Sequence, residues 1–184
     1  MHAKMTPLAL CKYVVSLLML LLASWTHGQI QRQAAEPELK AAILVNLLLF
    51  VDWKVQGTQT EDRLTACYVD ASPVATALTA FNGRLLKGKP LRVVRVEPAR
   101  VGGCHLLYIS PVESAQLPRL VPLLRDSGIL LVGDSAGYLQ QGAMLNLATE
   151  EGRVVFDVDL QAVRQAGLVL SSKVLRLARL VQGN

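Results

Sequence analysis

Cys104-His105-Leu106-Leu107-Tyr108-Ile109 and Ile129-Leu130-Leu131-Val132 are short apolar runs on either side of a segment, Glu113 to Asp126, that looks helical but contains Pro118 and Pro122. A continuous apolar run of this length reads as a strand buried on both faces. Proline removes a backbone donor and crowds the preceding turn, so the segment between predicts a short turn, a break at Pro118 and a second helical piece. Upstream, Leu64 to Val69 is β-prone, and Ser72 to Phe81 has a Ser-Pro start with apolar residues at Val74, Ala77, Leu78 and Phe81 before Asn82 and Gly83 end it. Leu91 to Val96 favours a strand through its β-branched content. Downstream, Ala143 to Ala148 and Arg153 to Asp159 predict an antiparallel hairpin turning at Glu150, Glu151 and Gly152. Leu160 to Ala166 predicts a short helix ended by Gly167, and Ser171 or Ser172 caps a last helix through Val181. Helices interleaved with β runs imply an α/β fold. We expect a single domain with a mixed, partly parallel sheet flanked by helices and an antiparallel hairpin near the C-terminal part.

Glu36 to Trp53 predicts one further helix, started by Pro37 between Glu36 and Glu38. From Ala41 to Val51 only Asn46 is polar, so this helix wants burial on more than one side. Internal packing satisfies that need, and so would a partner surface or dimer interface. Phe50 and Trp53 at its end are candidate partner-binding residues, because large aromatics anchor interfaces; they equally suit the core.

The chain has 184 residues. Met1 to Gly28 has the form of a secretory signal peptide: Lys4 and Lys12, then an apolar stretch from Val14 to Ala23, then small residues at Thr26 and Gly28. The mature protein then runs from residue 29 to 184, enough for one core. The leader contributes two lysines and no acid, so the net charge falls from +5 to +3, too weak and scattered for a nucleic-acid footprint. No other run reaches the roughly 18 apolar residues needed to cross a bilayer. We therefore expect an exported protein, not itself membrane-spanning, with no nucleic acid partner. Of the three cysteines, Cys11 lies in the leader, and Cys67 and Cys104 remain as an even pair in a compartment that permits disulfides. A single Cys67–Cys104 disulfide is the expectation, with two buried free thiols as the alternative.

Motifs that would carry chemistry are present only in part. Gly133-Asp134-Ser135-Ala136-Gly137 has the nucleophile-elbow spacing and follows a predicted strand. No helix follows it, however, and the mature chain's one histidine, His105, precedes Ser135 in the chain. Gly83 to Lys89 spells Gly-x-x-x-x-Gly-Lys, yet Pro90 stands where a magnesium-binding Ser or Thr belongs, so it reads as an ordinary loop with solvated lysines. No His/Cys spacing fits a zinc site, and His105 reads as a structural residue at a strand start. Asp157 and Asp159 share a strand face and are expected on the wet side of the hairpin. Lys173, Arg176 and Arg179 recur every third residue on the last predicted helix, a solvated face that could also dock an anionic ligand or acidic partner. No catalytic residue, metal site or cofactor is expected.

Several segments, in order and spacing, resemble the YfiR family of periplasmic regulators: Leu39-Lys40-Ala41-Ala42-Ile43 with Phe50-Val51-Asp52-Trp53, Cys67 with Cys104-His105-Leu106-Leu107-Tyr108-Ile109-Ser110, Leu130-Leu131-Val132-Gly133-Asp134 leading to Gly142-Ala143-Met144-Leu145-Asn146, and Val155-Phe156-Asp157-Val158-Asp159-Leu160 followed by Ala166-Gly167-Leu168 and Ser171 to Ala178. Lys54, Ala143 and Asp159 depart from the family pattern. The resemblance implies a non-enzymatic α/β protein, a homodimer, that represses an inner-membrane diguanylate cyclase by binding its periplasmic sensing region and so lowers cyclic di-GMP output. It also implies an outer-membrane lipoprotein that withdraws the regulator, and a disulfide at Cys67 and Cys104; a second bridge known in some members has no cysteines here. A periplasmic small-ligand binding module serving another membrane receptor, such as a sensor kinase or transport system, is the alternative.

Overall fold

A computed structural model describes residues 35–53 and 62–183. The expected leader lies outside them. Helix α1 (Glu36–Leu47) begins at Pro37, with Glu36 and Glu38 in the first turn where carboxylates favour the helix dipole. Its buried residues are Lys40, Ala41, Leu44, Val45 and Leu47. The apolar helix is thus largely satisfied within the chain. The helix expected as far as Trp53 stops at Leu47, because Val51–Trp53 forms strand β1 and pairs antiparallel with β9 (Leu168–Leu170), while the Ser171 N–H donates to the Phe50 carbonyl.

Among the described residues the main sheet has eight strands. β2 (Leu64–Tyr68) lies beside β4 (Lys89–Arg95) on one side and β5 (Leu106–Ile109) on the other, both parallel to it. β5 continues to β6 (Leu130–Gly133), also parallel, then to β7 (Leu145–Glu150), β8 (Arg153–Asp159) and β10 (Leu180–Gln182). β3 (Leu85–Leu86) closes the opposite edge, antiparallel to β4. All four residues of β5 and of β6 are buried, as continuous apolar runs at the centre of a parallel sheet must be.

Helix α2 (Pro73–Thr79), capped by the Ser72 side chain, links β2 to β4; a 3₁₀ turn (Pro111–Gln116) and α3 (Leu117–Leu123) link β5 to β6. Pro118 sits in the first turn of α3, where the missing donor costs nothing, so the break expected there falls earlier, at Glu113 within the 3₁₀ turn. The two crossovers step in opposite directions from β2 and β5, and right-handed connections therefore put α2 and α3 on opposite faces. α1 packs beside α2.

β7 and β8 form the expected hairpin, with Glu150 opposite Arg153. Its two turn residues, Glu151 and Gly152, both have positive φ, the twist that a two-residue hairpin loop requires. After α4 (Leu160–Gln165) and β9, helix α5 covers only Ser172–Leu177. The last helix does not extend through Val181. Leu180–Gln182 instead pairs parallel to β8, which satisfies an otherwise open sheet edge. Among the described residues no helix is long and apolar enough to cross a membrane.

Candidate functional site

In open α/β sheets, ligands sit at the carboxyl ends of the strands where the winding reverses. Here that point lies between β2 and β5, where an open cleft is bordered by Val69 and Asp70 after β2, Arg95 and Val96 at the end of β4, and Gln116 after β5; a charged cluster lies one strand further on, after β6. Lys40 of α1, 7% exposed, places Nζ 2.6 Å from Asp134 Oδ1 and 2.7 Å from Glu36 Oε1. Asp134 follows β6, and its Oδ2 accepts the Tyr108 hydroxyl at 3.0 Å. Burial works against the Lys40 charge, but Asp134 and Glu36 together hold its pKa above the usual lysine value. Burial, reinforced by the Asp134 charge, pushes the Tyr108 phenol well up, so Tyr108 remains a hydrogen-bond donor. Lys40, helped by Thr149, lowers the Glu36 carboxyl.

Next to the Lys40–Asp134–Tyr108 triad, Glu113 is buried, its Oε2 accepts the Ser110 N–H at 2.7 Å, and burial raises its pKa. The Tyr138 hydroxyl donates to the Ser110 carbonyl at 2.9 Å. To reach it, the Tyr138 ring lies over Gly133, where an added Cβ would meet Cδ2 at 2.4 Å. The glycine of the elbow-like motif therefore serves ring packing. Ser135 donates its N–H to Asn146 Oδ1. His105 precedes β5 and Ser135 follows the parallel neighbour β6, so they occupy opposite edges of the sheet, on the order of 20 Å apart at strand rise. The serine and histidine do not form a reacting pair.

An open cleft of about 510 Å³ lies beside the triad, bordered by Glu36, Lys40, Ser135, Asn146, Asp157 and Arg179. Arg179 lies beyond the end of α5. Its Nε is 2.9 Å from Asp157 Oδ1, and its Nη1 reaches Glu150 at 3.4 Å. The three cations expected on one helical face are thus divided: Lys173 and Arg176 stay exposed on α5, while Arg179 neutralises Asp157. Asp157 itself is buried, not on the wet side of the hairpin. Asp159 caps α4 by accepting the Ala162 N–H at 2.9 Å and also accepts from Gln182. Both carboxylates are structural. Among the described residues no cluster of three metal-ligating side chains occurs.

Cys67, the fourth residue of β2, and Cys104, just before β5, form a disulfide with Cα atoms 5.9 Å apart, so the free-thiol alternative is set aside. Trp53 stands on β1, not on a helix, half-buried, with its ring edge-on to His105 at 5.3 Å between centroids. Phe50 is half-buried in the preceding turn. Lys40, Asp134 and Tyr108 are not among the site residues expected from the sequence. The available signal was a lone cation in an apolar helix, together with an aspartate directly after a buried strand.

These features define a doubly wound α/β domain with charged side chains clustered at the carboxyl ends of its strands. The chain belongs to the YfiR/HmsC-like family (DUF4154), whose family model matches residues 37–179. No curated protein matches the chain. Two solved structures share the fold. One is a conserved domain protein from Vibrio cholerae O1 biovar El Tor strain N16961, with 13% identity and a TM-score of 0.52 over 80% of this chain. The other is an ABC domain in complex with L-Trp from Streptococcus pneumonia, with 11% identity and a TM-score of 0.55 over 78%. The chain spans 60% of the length of each.

Proposed function

We propose that this protein is an exported, non-enzymatic regulator that binds the periplasmic sensing region of an inner-membrane diguanylate cyclase and represses it. Membership of the YfiR/HmsC-like family across residues 37–179 is the observation that carries this reading. Residues 1–28 are then a cleaved leader, the mature chain acts as a homodimer, and an outer-membrane lipoprotein competes for it. A regulator that binds the inactive cyclase more tightly shifts the cyclase toward that state by the difference in binding free energy, and a competing binder reverses the shift by mass action. The pairing of Lys40 with Asp134 is consistent with this role, because it ties those two buried charges to each other. A disulfide suits the oxidising periplasm.

Phe50 and Trp53 are the proposed partner contacts. Immobilised periplasmic domain of the candidate cyclase should capture the wild-type protein, and Trp53→Ala should weaken capture about tenfold or more, the size of a moderate interface anchor. Failure of the wild type to bind would contradict the regulator reading, and undiminished binding by Trp53→Ala would remove these contacts alone.

The 510 Å³ cleft favours a second reading, a small-ligand module for another membrane receptor such as a sensor kinase or transport system, with Lys40 and Arg179 on the cleft border and Lys173 and Arg176 outside it. A receptor or kinase gene beside this one, instead of a cyclase gene, would favour it.

A further inference from the structure

The β3–β4 ribbon carries a charge that the site and the proposed cyclase contact leave unused. From Ala71 to Val96 the chain has five cations and no acid. One of them, Arg95, pairs with Asp70. The other four, Arg84, Lys87, Lys89 and Arg92, are exposed, and among the described residues none of them forms an ion pair. Strand register puts Asp62 about level with Lys89, but Arg63 beside it offsets that charge. The ribbon turns at Lys87-Gly88, and behind the turn Leu85, 68% exposed, stands opposite the exposed Pro90. An apolar centre at the turn is therefore ringed by cations that have no acidic partner among the described residues.

We propose that this ribbon docks the protein on the surface of an anionic phospholipid bilayer, with Arg84, Lys87, Lys89 and Arg92 against headgroup phosphates and Leu85 at the interface. Two observations favour lipid over an acidic protein. A protein interface of standard size needs a broad, closely fitted patch with an apolar core, and lysine is depleted from such patches. This ribbon offers one exposed leucine and two lysines at its turn. A lipid surface asks only for diffuse positive charge and a shallow apolar contact. The ribbon turn and Trp53, through its contact with His105, lie toward the same amino-terminal edge of the parallel strands. Docking there would hold that edge close to a membrane-embedded partner.

The test is co-sedimentation of the purified mature protein with vesicles of phosphatidylglycerol and phosphatidylethanolamine, beside vesicles of phosphatidylcholine alone. Binding should be confined to the anionic vesicles and should weaken as salt shortens the Debye length. Each headgroup-facing cation is worth about fivefold in partitioning, so Lys87→Gln/Lys89→Gln should lose about 25-fold. Arg119→Gln/Arg125→Gln removes the same charge elsewhere and should leave binding nearly unchanged, and Leu85→Ser should lose several-fold. If the lysine pair proves to disturb the turn, Lys87→Asn suits the positive φ at that position and should alone lose about fivefold. Equal losses in the two double variants, equal binding to neutral and anionic vesicles, or no binding to anionic vesicles, whether or not the ribbon captures an acidic protein, would overturn the proposal.

Discussion

Replacing Lys40 by methionine lowers the unfolding free energy by about 3–5 kcal/mol, because it leaves the Asp134 carboxylate buried without its cation. The desolvation cost of Asp134 stays while its compensation is lost. Glu36, at the exposed margin, cannot replace a cation. Lys40→Met/Asp134→Asn recovers most of the loss, since the asparagine carbonyl can still accept the Tyr108 hydroxyl and no unpaired charge remains. Urea unfolding of the two single variants and the double closes the cycle. A Lys40→Met loss below about 1 kcal/mol, the range of an exposed pair, would show that the triad is solvated. The pH dependence follows from the raised lysine pKa. Its contribution is present below the ordinary value of 10.5 and disappears as pH climbs through the higher folded value, so wild type loses stability there and Lys40→Met does not.

Cys67→Ala/Cys104→Ala is expected to cost about 4 kcal/mol in the chain-entropy model for a closed loop of this length. The bridge encloses α2, β3 and β4, so its loss frees the β2–β4 half of the sheet in the unfolded ensemble. Reducing the wild-type protein should move its urea midpoint toward that of the variant and leave the variant's own midpoint unchanged. Intact mass after alkylation reports the same bond directly. Two alkylated thiols in unreduced protein would contradict it.

The parts of this fold that could be read from sequence are those whose neighbours are local or whose burial is complete. Leu106–Ile109 and Leu130–Gly133 are apolar on both faces and could only be central strands. The hairpin announced itself through its turn at Glu150 to Gly152. By contrast, Val51–Trp53 continues an apolar helical pattern without a break, and only Leu168–Leu170, far along the chain, turns it into a strand. Leu177, Ala178 and Val181 likewise fit a helical face. The edge of β8 and the Asp157 carboxylate draw Arg179 and Leu180 out of it. Lys40 is the clearest case at the site. A buried lysine requires a partner, and its partner stands 94 residues away, beyond the reach of any periodicity.

The most direct test of the regulator reading is cyclic di-GMP in the host after deletion of the gene, with the wild-type and Trp53→Ala proteins restored in turn at equal periplasmic levels. The account predicts a rise on deletion, a return to the original level with wild type, and incomplete return with Trp53→Ala. An unchanged cyclic di-GMP level in the deletion strain would contradict it.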